Sequence, residues 1–450
     1  MASRGEFSSR MGFVLAAAGS AVGLGNIWGF PTQVASNGGA AFVLVYIILA
    51  FLLAYPVLMA EFIIGRATRS NMVDALGNIS GSNISGSNIG RATGVWGLVT
   101  VSLILSFYAL VAGWMLSHFL QTISDMLGQD AISTWLITSS ITRNILFSGI
   151  FLCLTASIVT GGVKQGIELW SVRLMPALFI IIVLLIIYVS TLEGAADGWK
   201  AYLLPNFNLI MEPDLLISAM GQAFFSMSLG VGTMLVYGSY VSKKENLPTL
   251  GASVALVDIG VAILAGMLII PAMYVALHNG VKIFSDSGAL IEGPNLIFAV
   301  LPSLFETMGT VGVYVAFVFF ALMIIAALTS SISMLEVPVA YVVENKKIDR
   351  KRAVWVLTFI IFMISTTIAF NMDSLFGLVI DLTTKYSQPL LGLVLCVFAG
   401  WVWKRDQILA ELKQGNEQIE HSIFWKIWPW YVRFVCPVVI AVMFYRSIVG

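Results

Sequence analysis

The sequence predicts an all-α integral membrane protein of about eleven transmembrane helices: two inverted five-helix repeats, broken first and sixth helices, and one extra C-terminal helix. Three observations carry this. Of the 450 residues, 58% are hydrophobic and only 11% are charged, too little charge to keep a soluble surface of this size in water. Apolar runs long enough to cross a bilayer recur along the whole chain. Two of those runs, the first and the sixth, are interrupted by glycine at mid-span.

The runs fall near 11–33, 39–65, 94–122, 144–162, 171–192, 216–240, 250–278, 311–342, 353–371, 375–403 and 430–448. They divide the chain into a first repeat over 1–192, a second, inverted repeat over 193–403, and a linker with the last helix over 404–450. Lysine and arginine set the orientation, because cytoplasmic loops are enriched in them. With the N-terminus cytoplasmic, one side of the bilayer collects Arg4, Arg10, Arg66, Arg69 and Arg91, the cluster Lys346 to Arg352, and the late group Lys404 to Arg433. The other side keeps Arg143, Lys200, Lys282 and Arg446, and the C-terminal end is external. The first apolar run lacks a convincing small-residue cleavage site, so it reads as a retained helix.

Two connections differ from simple loops. Residues 77–90, GNISGSNISGSNIG, have flexible-linker composition, and their sequons at Asn78 and Asn83 fall on the cytoplasmic side. The external segment 279–310 is apolar enough to fold back as a short helical cap. Equal numbers of basic and acidic residues, 24 each, exclude the basic face a nucleic-acid partner requires. Cys153, Cys396 and Cys436 lie in apolar runs without CxxC spacing and read as packing residues.

Span one reads GFVLAAAGSAVGLGNIWGFP, with Gly19, Gly23 and Gly25 ahead of Asn26. Alone, this is either close helix packing through small residues or backbone unwound around a ligand. Span six, GQAFFSMSLGVGTMLVYGSY, repeats the pattern with Gly230 and Gly232 beside Ser226 and Ser228. Interrupted helices at corresponding places in two halves point to a central site. Freed amides there suit a carboxylate, and freed carbonyls suit a small hard cation. Asp258 in span seven is costly in a membrane unless it binds a cation or a proton. Thr329 and Ser330, in AALTSSISM, either offer hydroxyls to an ion or bond back to their own helix. Tyr108 is a packing residue whose hydroxyl needs a partner.

Four blocks in order, GSAVGLGNIWGFP, FYALVAGW, GQAFFSMSLGVG and LTSSIS, resemble the neurotransmitter:sodium symporter family in its bacterial amino-acid branch, from about residue 4 to about 445. The resemblance implies two sodium ions. The first would be held by Ala21, Asn26, Ser226 and Asp258 with the substrate carboxylate, and the second by Gly19, Val22, Ala326, Thr329 and Ser330. It places the substrate carboxylate at Leu24, Gly25 and Tyr108, and the amine at carbonyls of Ala21, Phe225, Ser226 and Ser228. Ile104, Phe225, Val231, Ser330 and Met334 would surround the side chain, and Arg4, Tyr240 and Glu344 would form the internal gate. Monoamine members place an acid where this chain has Gly23, so the resemblance implies a substrate that brings its own carboxylate. Chloride-dependent members use a span-seven serine where this chain has Ala262, so Asp258 would supply the negative charge instead.

The chain departs from the family pattern at the external gate. Gly29 replaces the usual arginine, and Val379 or Ile380 stands where the facing acid belongs, with Asp381 and Lys385 nearby on one helix face. Phe7 stands where the family prefers tryptophan beside the internal gate. The expected function is sodium-coupled import of a hydrophobic or aromatic amino acid across a bacterial inner membrane, with proton antiport through Asp258 as an extension. Proton-coupled transport on the same fold and a non-transporting membrane sensor stand as alternatives. An enzyme is the weakest reading: His118, His278 and His421 form no nucleophile–base pair or HExxH motif. Neither substrate identity nor oligomeric state follows from the sequence.

Overall fold

A computed structural model describes residues 5–80, 84–283 and 296–449. Among the described residues the chain is helical, with no strand. Among the described residues nine helices are long and apolar enough to cross a membrane, from Ala40–Thr68 (span two) to Ile423–Ser447 (span eleven). Span one is a bent pair, Arg10–Ala21 and Gly25–Ser36, meeting at 55°, and it brings the number to ten. Span six consists of Pro213–Ser226 and Thr233–Gly238, and neither piece alone is long enough to cross.

The broken helices sit at the centre. The first half of span one packs against span five (Val163–Ser190), span seven (Leu247–His278) and span eight (Thr310–Lys346). Both halves of span six pack against span two. Apolar residues that face outward, such as Ile180, Leu184, Ile187 and Phe359, are more than half exposed and form the lipid-facing surface. The core is continuous, running from Phe13 in span one to Cys436 in span eleven.

One of the two expectations about connections changes. The stretch expected as a flexible linker is mostly helical where it is described: the helix Met72–Ile79 ends at a turn at Ser80, and Ile84–Met126 begins the helix that becomes span three. Its glycines explain why. A Cβ on Gly86 would lie 2.4 Å from the Ser80 carbonyl oxygen, and one on Gly90 would lie 2.2 Å from that of Leu76. Glycine here lets two helices touch backbone to backbone. Asn83 lies outside the described residues. Of the external cap, Leu296–Val300 and Leu301–Thr307 form a short apolar helix, as expected; residues 284–295 lie outside the description.

Candidate functional site

Span one unwinds at Val22, whose amide still bonds to the Ala18 carbonyl (2.6 Å) while its own backbone turns extended (φ −66°, ψ 110°). The wider turn Gly25–Gly29 follows. Glycine at 23 and 25 allows close approach: a Cβ on Gly23 would lie 3.0 Å from both Ser330 Oγ and the Tyr108 hydroxyl, and one on Gly25 would lie 3.1 Å from the Phe225 ring. Span six unwinds over 227–232, with φ of 50° at Ser228, 83° at Gly230 and 80° at Gly232. A Cβ on Gly230 would lie 2.5 Å from the Gln388 carbonyl oxygen of span ten.

Three residues of the expected first cation site meet between the two breaks. Asn26 Nδ2 donates to Ser226 Oγ (2.9 Å), to Asp258 Oδ1 (2.7 Å) and to the Asp258 carbonyl (3.1 Å). Ser226 Oγ donates to Asp258 Oδ2 at 2.8 Å. Tyr46 of span two adds its hydroxyl to Ser226 Oγ at 3.2 Å. All four residues are fully buried. A carboxylate so placed is tolerated because every neighbour is a hydrogen-bond donor.

The expected second site brings spans one and eight together. A Cβ on Gly19 would lie 3.2 Å from Thr329 Cβ, so the two helices are in contact there. Thr329 Oγ1 donates back to Ile325 (3.1 Å) and Ala326 (3.0 Å) carbonyls. A hydroxyl that donates this way keeps lone pairs for a cation. Ser330 Oγ crosses to the Ser20 carbonyl at 3.2 Å, and Ser228 Oγ reaches the same carbonyl at 3.4 Å. Ala21, Val22 and Ala326 are buried beside them.

The Tyr108 hydroxyl is buried beside the Ser330 hydroxyl and the Leu24 backbone. With Leu24 and Phe225 it lines a cavity of about 450 Å³ that also touches Trp28, Gln222 and Lys385. This volume is in the range of small-molecule pockets. Ile104, Val231 and Met334 are buried but do not line this cavity. Gln222 Nε2 donates to the Gly25 carbonyl at 2.7 Å, and Lys385 pairs with Asp381 at 2.8 Å along span ten.

At the opposite end, Phe7 stacks edge-on against Phe13, Tyr237 and Tyr240. Arg4 lies outside the described residues. Tyr240 donates to Glu336 Oε1 at 2.7 Å, and Arg350 pairs with the same carboxylate. Glu344 accepts from the backbone and side-chain amides of Asn71, both at 2.9 Å. Glu336 was not singled out from the sequence, although it is an acid inside an apolar run. Nor were two others. Glu61 of span two accepts from the Gly230 (2.7 Å) and Leu235 (3.1 Å) amides and so caps the second half of span six. Glu168 of span five accepts from the backbone and hydroxyl of Ser8 (2.8 and 2.7 Å) and of Ser9 (both 3.2 Å), at the start of span one.

The chain matches the pattern of the family described as "Sodium:neurotransmitter symporter family" over residues 4–146 and 137–450. It belongs to the sodium:neurotransmitter symporter family. As a family member it is a membrane transporter of a sodium-dependent class, not an enzyme. It is similar to the uncharacterized sodium-dependent transporter YhdH of Bacillus subtilis, at 35% identity over 98% of this chain and 97% of the relative. It is also similar to an uncharacterized sodium-dependent transporter of Haemophilus influenzae, at 33% identity over 99% and 98%. Among solved structures, the symporter fold seen here matches MhsT in complex with L-phenylalanine, with a TM-score of 0.82 and 35% identity over 99% of this chain and 100% of that one.

Proposed function

We propose that this symporter imports a hydrophobic or aromatic L-amino acid together with two sodium ions by alternating access, without chloride. The observation that carries the proposal is the buried Asn26–Ser226–Asp258 cluster, with the buried Tyr108 hydroxyl and the two backbone breaks close by. Sodium in the first site would turn the Asn26 amide over, so that its oxygen faces the cation in place of its nitrogen. Asp258 would supply the anionic charge, and Ala262, one turn further along span seven, offers nothing to hold chloride. The substrate carboxylate would take the Tyr108 hydroxyl and the amides at Leu24 and Gly25. Its amine would take carbonyls of Ala21, Phe225, Ser226 and Ser228. The apolar set Ile104, Phe225, Val231 and Met334, with Ser330, favours a large apolar side chain. The phenylalanine bound to MhsT supports the same class.

The second sodium would sit between Gly19 and Val22 of span one and Ala326, Thr329 and Ser330 of span eight, tying the mobile helix to its support. The two halves, 1–192 and 193–403, would rock about this centre, with Tyr240 and Glu344 at the cytoplasmic gate together with Arg4. In the bacterial inner membrane the N-terminus would be cytoplasmic and the C-terminal end external, as the loop cations require. After sodium leaves inward, Asp258 would be left without a cation and would carry a proton outward.

Binding of labelled L-phenylalanine to the purified transporter tests the reading. Binding in sodium chloride and in sodium gluconate, with none in potassium chloride, is expected. Binding that needs chloride, or that persists in potassium, would overturn it, as would stronger competition by aspartate, lysine or glycine than by leucine or tryptophan.

A further inference from the structure

A second cavity, of about 340 Å³, lies far from the transport site, between the end of span ten (Met372–Val402) and the start of span eleven. Three cations line it, Lys404, Arg405 and Arg433, and no acid does. None of the three makes an ion pair among the described residues. Of the linker's acids, Glu411 binds Arg66 at 2.7 Å and Glu420 binds Lys413, while Asp406 and Glu417 do not line the cavity.

The cations are held by their surroundings. Pro437 has no N–H to give the Arg433 carbonyl one turn back. The Trp401 indole supplies that bond from span ten, at 2.8 Å. The Arg433 guanidinium lies over the same indole, 4.2 Å from its centroid. Gly400 allows this approach, since a Cβ there would lie 2.7 Å from Arg433 Cα. Arg405 lies over Trp425 at 5.2 Å. A guanidinium stacked by its face keeps its N–H edge free for a planar array of phosphate oxygens. Both flanking helices take a wide π-turn at this level, Phe398–Val402 and Tyr431–Val435, a feature that recurs at functional sites. Trp401 and Trp430 are more than half exposed beside the cavity and mark the membrane boundary. Solvated loop cations satisfy the orientation rule without such a cage.

We infer that this cavity is a binding site for the phosphate of an anionic phospholipid head group, held by Lys404, Arg405 and Arg433, with its acyl chains along Trp401 and Trp430. The site is also tied to the moving core. The linker helix Arg405–Lys413 that begins at the cavity is fastened by Glu411 to Arg66 at the end of span two, and Arg66 also donates to the Glu245 carbonyl after span six at 2.6 Å. A lipid bound here would steady that linkage.

The test uses the full-length transporter in neutral detergent and reads two quantities: its thermal unfolding midpoint, and lipid retained in native mass spectrometry. Phosphatidylglycerol should raise the midpoint and be retained, and phosphatidylcholine should do neither. Lys404→Gln, which removes a charge without a stacking contact, should weaken phosphatidylglycerol retention about fivefold, with the midpoint in phosphatidylcholine unchanged. The triple variant with Arg405→Gln and Arg433→Gln should abolish the difference between the lipids. Equal effects of the two lipids on the wild type, or an unaltered phosphatidylglycerol effect in the triple variant, would overturn the proposal. Inorganic phosphate alone reproducing the shift would overturn the lipid assignment in favour of a soluble anion.

Discussion

The Asn26 side-chain amide sits 2.7 Å from Asp258 Oδ1 and 3.1 Å from the Asp258 carbonyl, joining residues 232 positions apart in the chain. That pair closes the break in span one onto span seven. Asp258→Asn keeps the shape and removes the charge. Sodium affinity should fall by at least tenfold, about 1.4 kcal/mol, measured as the sodium dependence of substrate binding. Any dependence of uptake on internal pH should disappear with it. An unchanged sodium titration would remove Asp258 from the cation site.

Thr329 and Ser330 face Gly19 and the Ser20 carbonyl across the interface of spans one and eight. Thr329→Val with Ser330→Ala removes two oxygens at nearly constant volume. Uptake should lose its sodium cooperativity, with the Hill coefficient dropping from near two toward one. A coefficient that stays at its wild-type value would mean that the second ion lies elsewhere.

Val231 is buried between two glycines of positive φ in the break of span six. In the proposed site Val231 meets the substrate side chain beyond the open cavity, so Val231→Phe should leave less room there and move preference from phenylalanine toward alanine or valine. Competition assays read this directly, and preference for the large side chain should fall about tenfold or more.

Glu61 holds the amides of Gly230 and Leu235. Glu61→Ala leaves two buried donors unpaired, at a cost of about 2 kcal/mol or more. The unfolding midpoint in detergent should drop clearly, and Glu61→Gln, which keeps one acceptor oxygen, should drop less. Equal midpoints for the two variants would show that the acid is not the cap.

Glu168 gathers the start of span one through Ser8 and Ser9. Glu168→Ala should release that end and expose it on the cytoplasmic side. A cysteine placed at Val14, which is buried, should then label several times faster in sodium. Unchanged labelling would mean that Phe7 and its aromatic neighbours alone hold the end closed.

Much of this was legible in the sequence because the membrane imposes simple rules. Apolar run length located the spans, and glycine at mid-span located both breaks. Asp258 stood out because an acid in an apolar run requires a partner. The same signal was present at Glu61, Glu168 and Glu336, yet their partners are backbone amides, short hydroxyls, a tyrosine 96 residues away and an arginine beyond the end of the helix, which no helical spacing reveals. The 77–90 stretch misled because composition alone does not separate glycine for flexibility from glycine for contact. Span six read as one apolar run, and the structure divides it into halves too short to cross singly.

Uptake of labelled L-phenylalanine into proteoliposomes is the most direct test of the central claim. With potassium inside, an inward sodium gradient should drive accumulation above the external concentration, and replacing external sodium with potassium or choline should abolish it. Accumulation driven by an inward proton gradient without sodium, or none under any gradient while binding persists, would contradict the account.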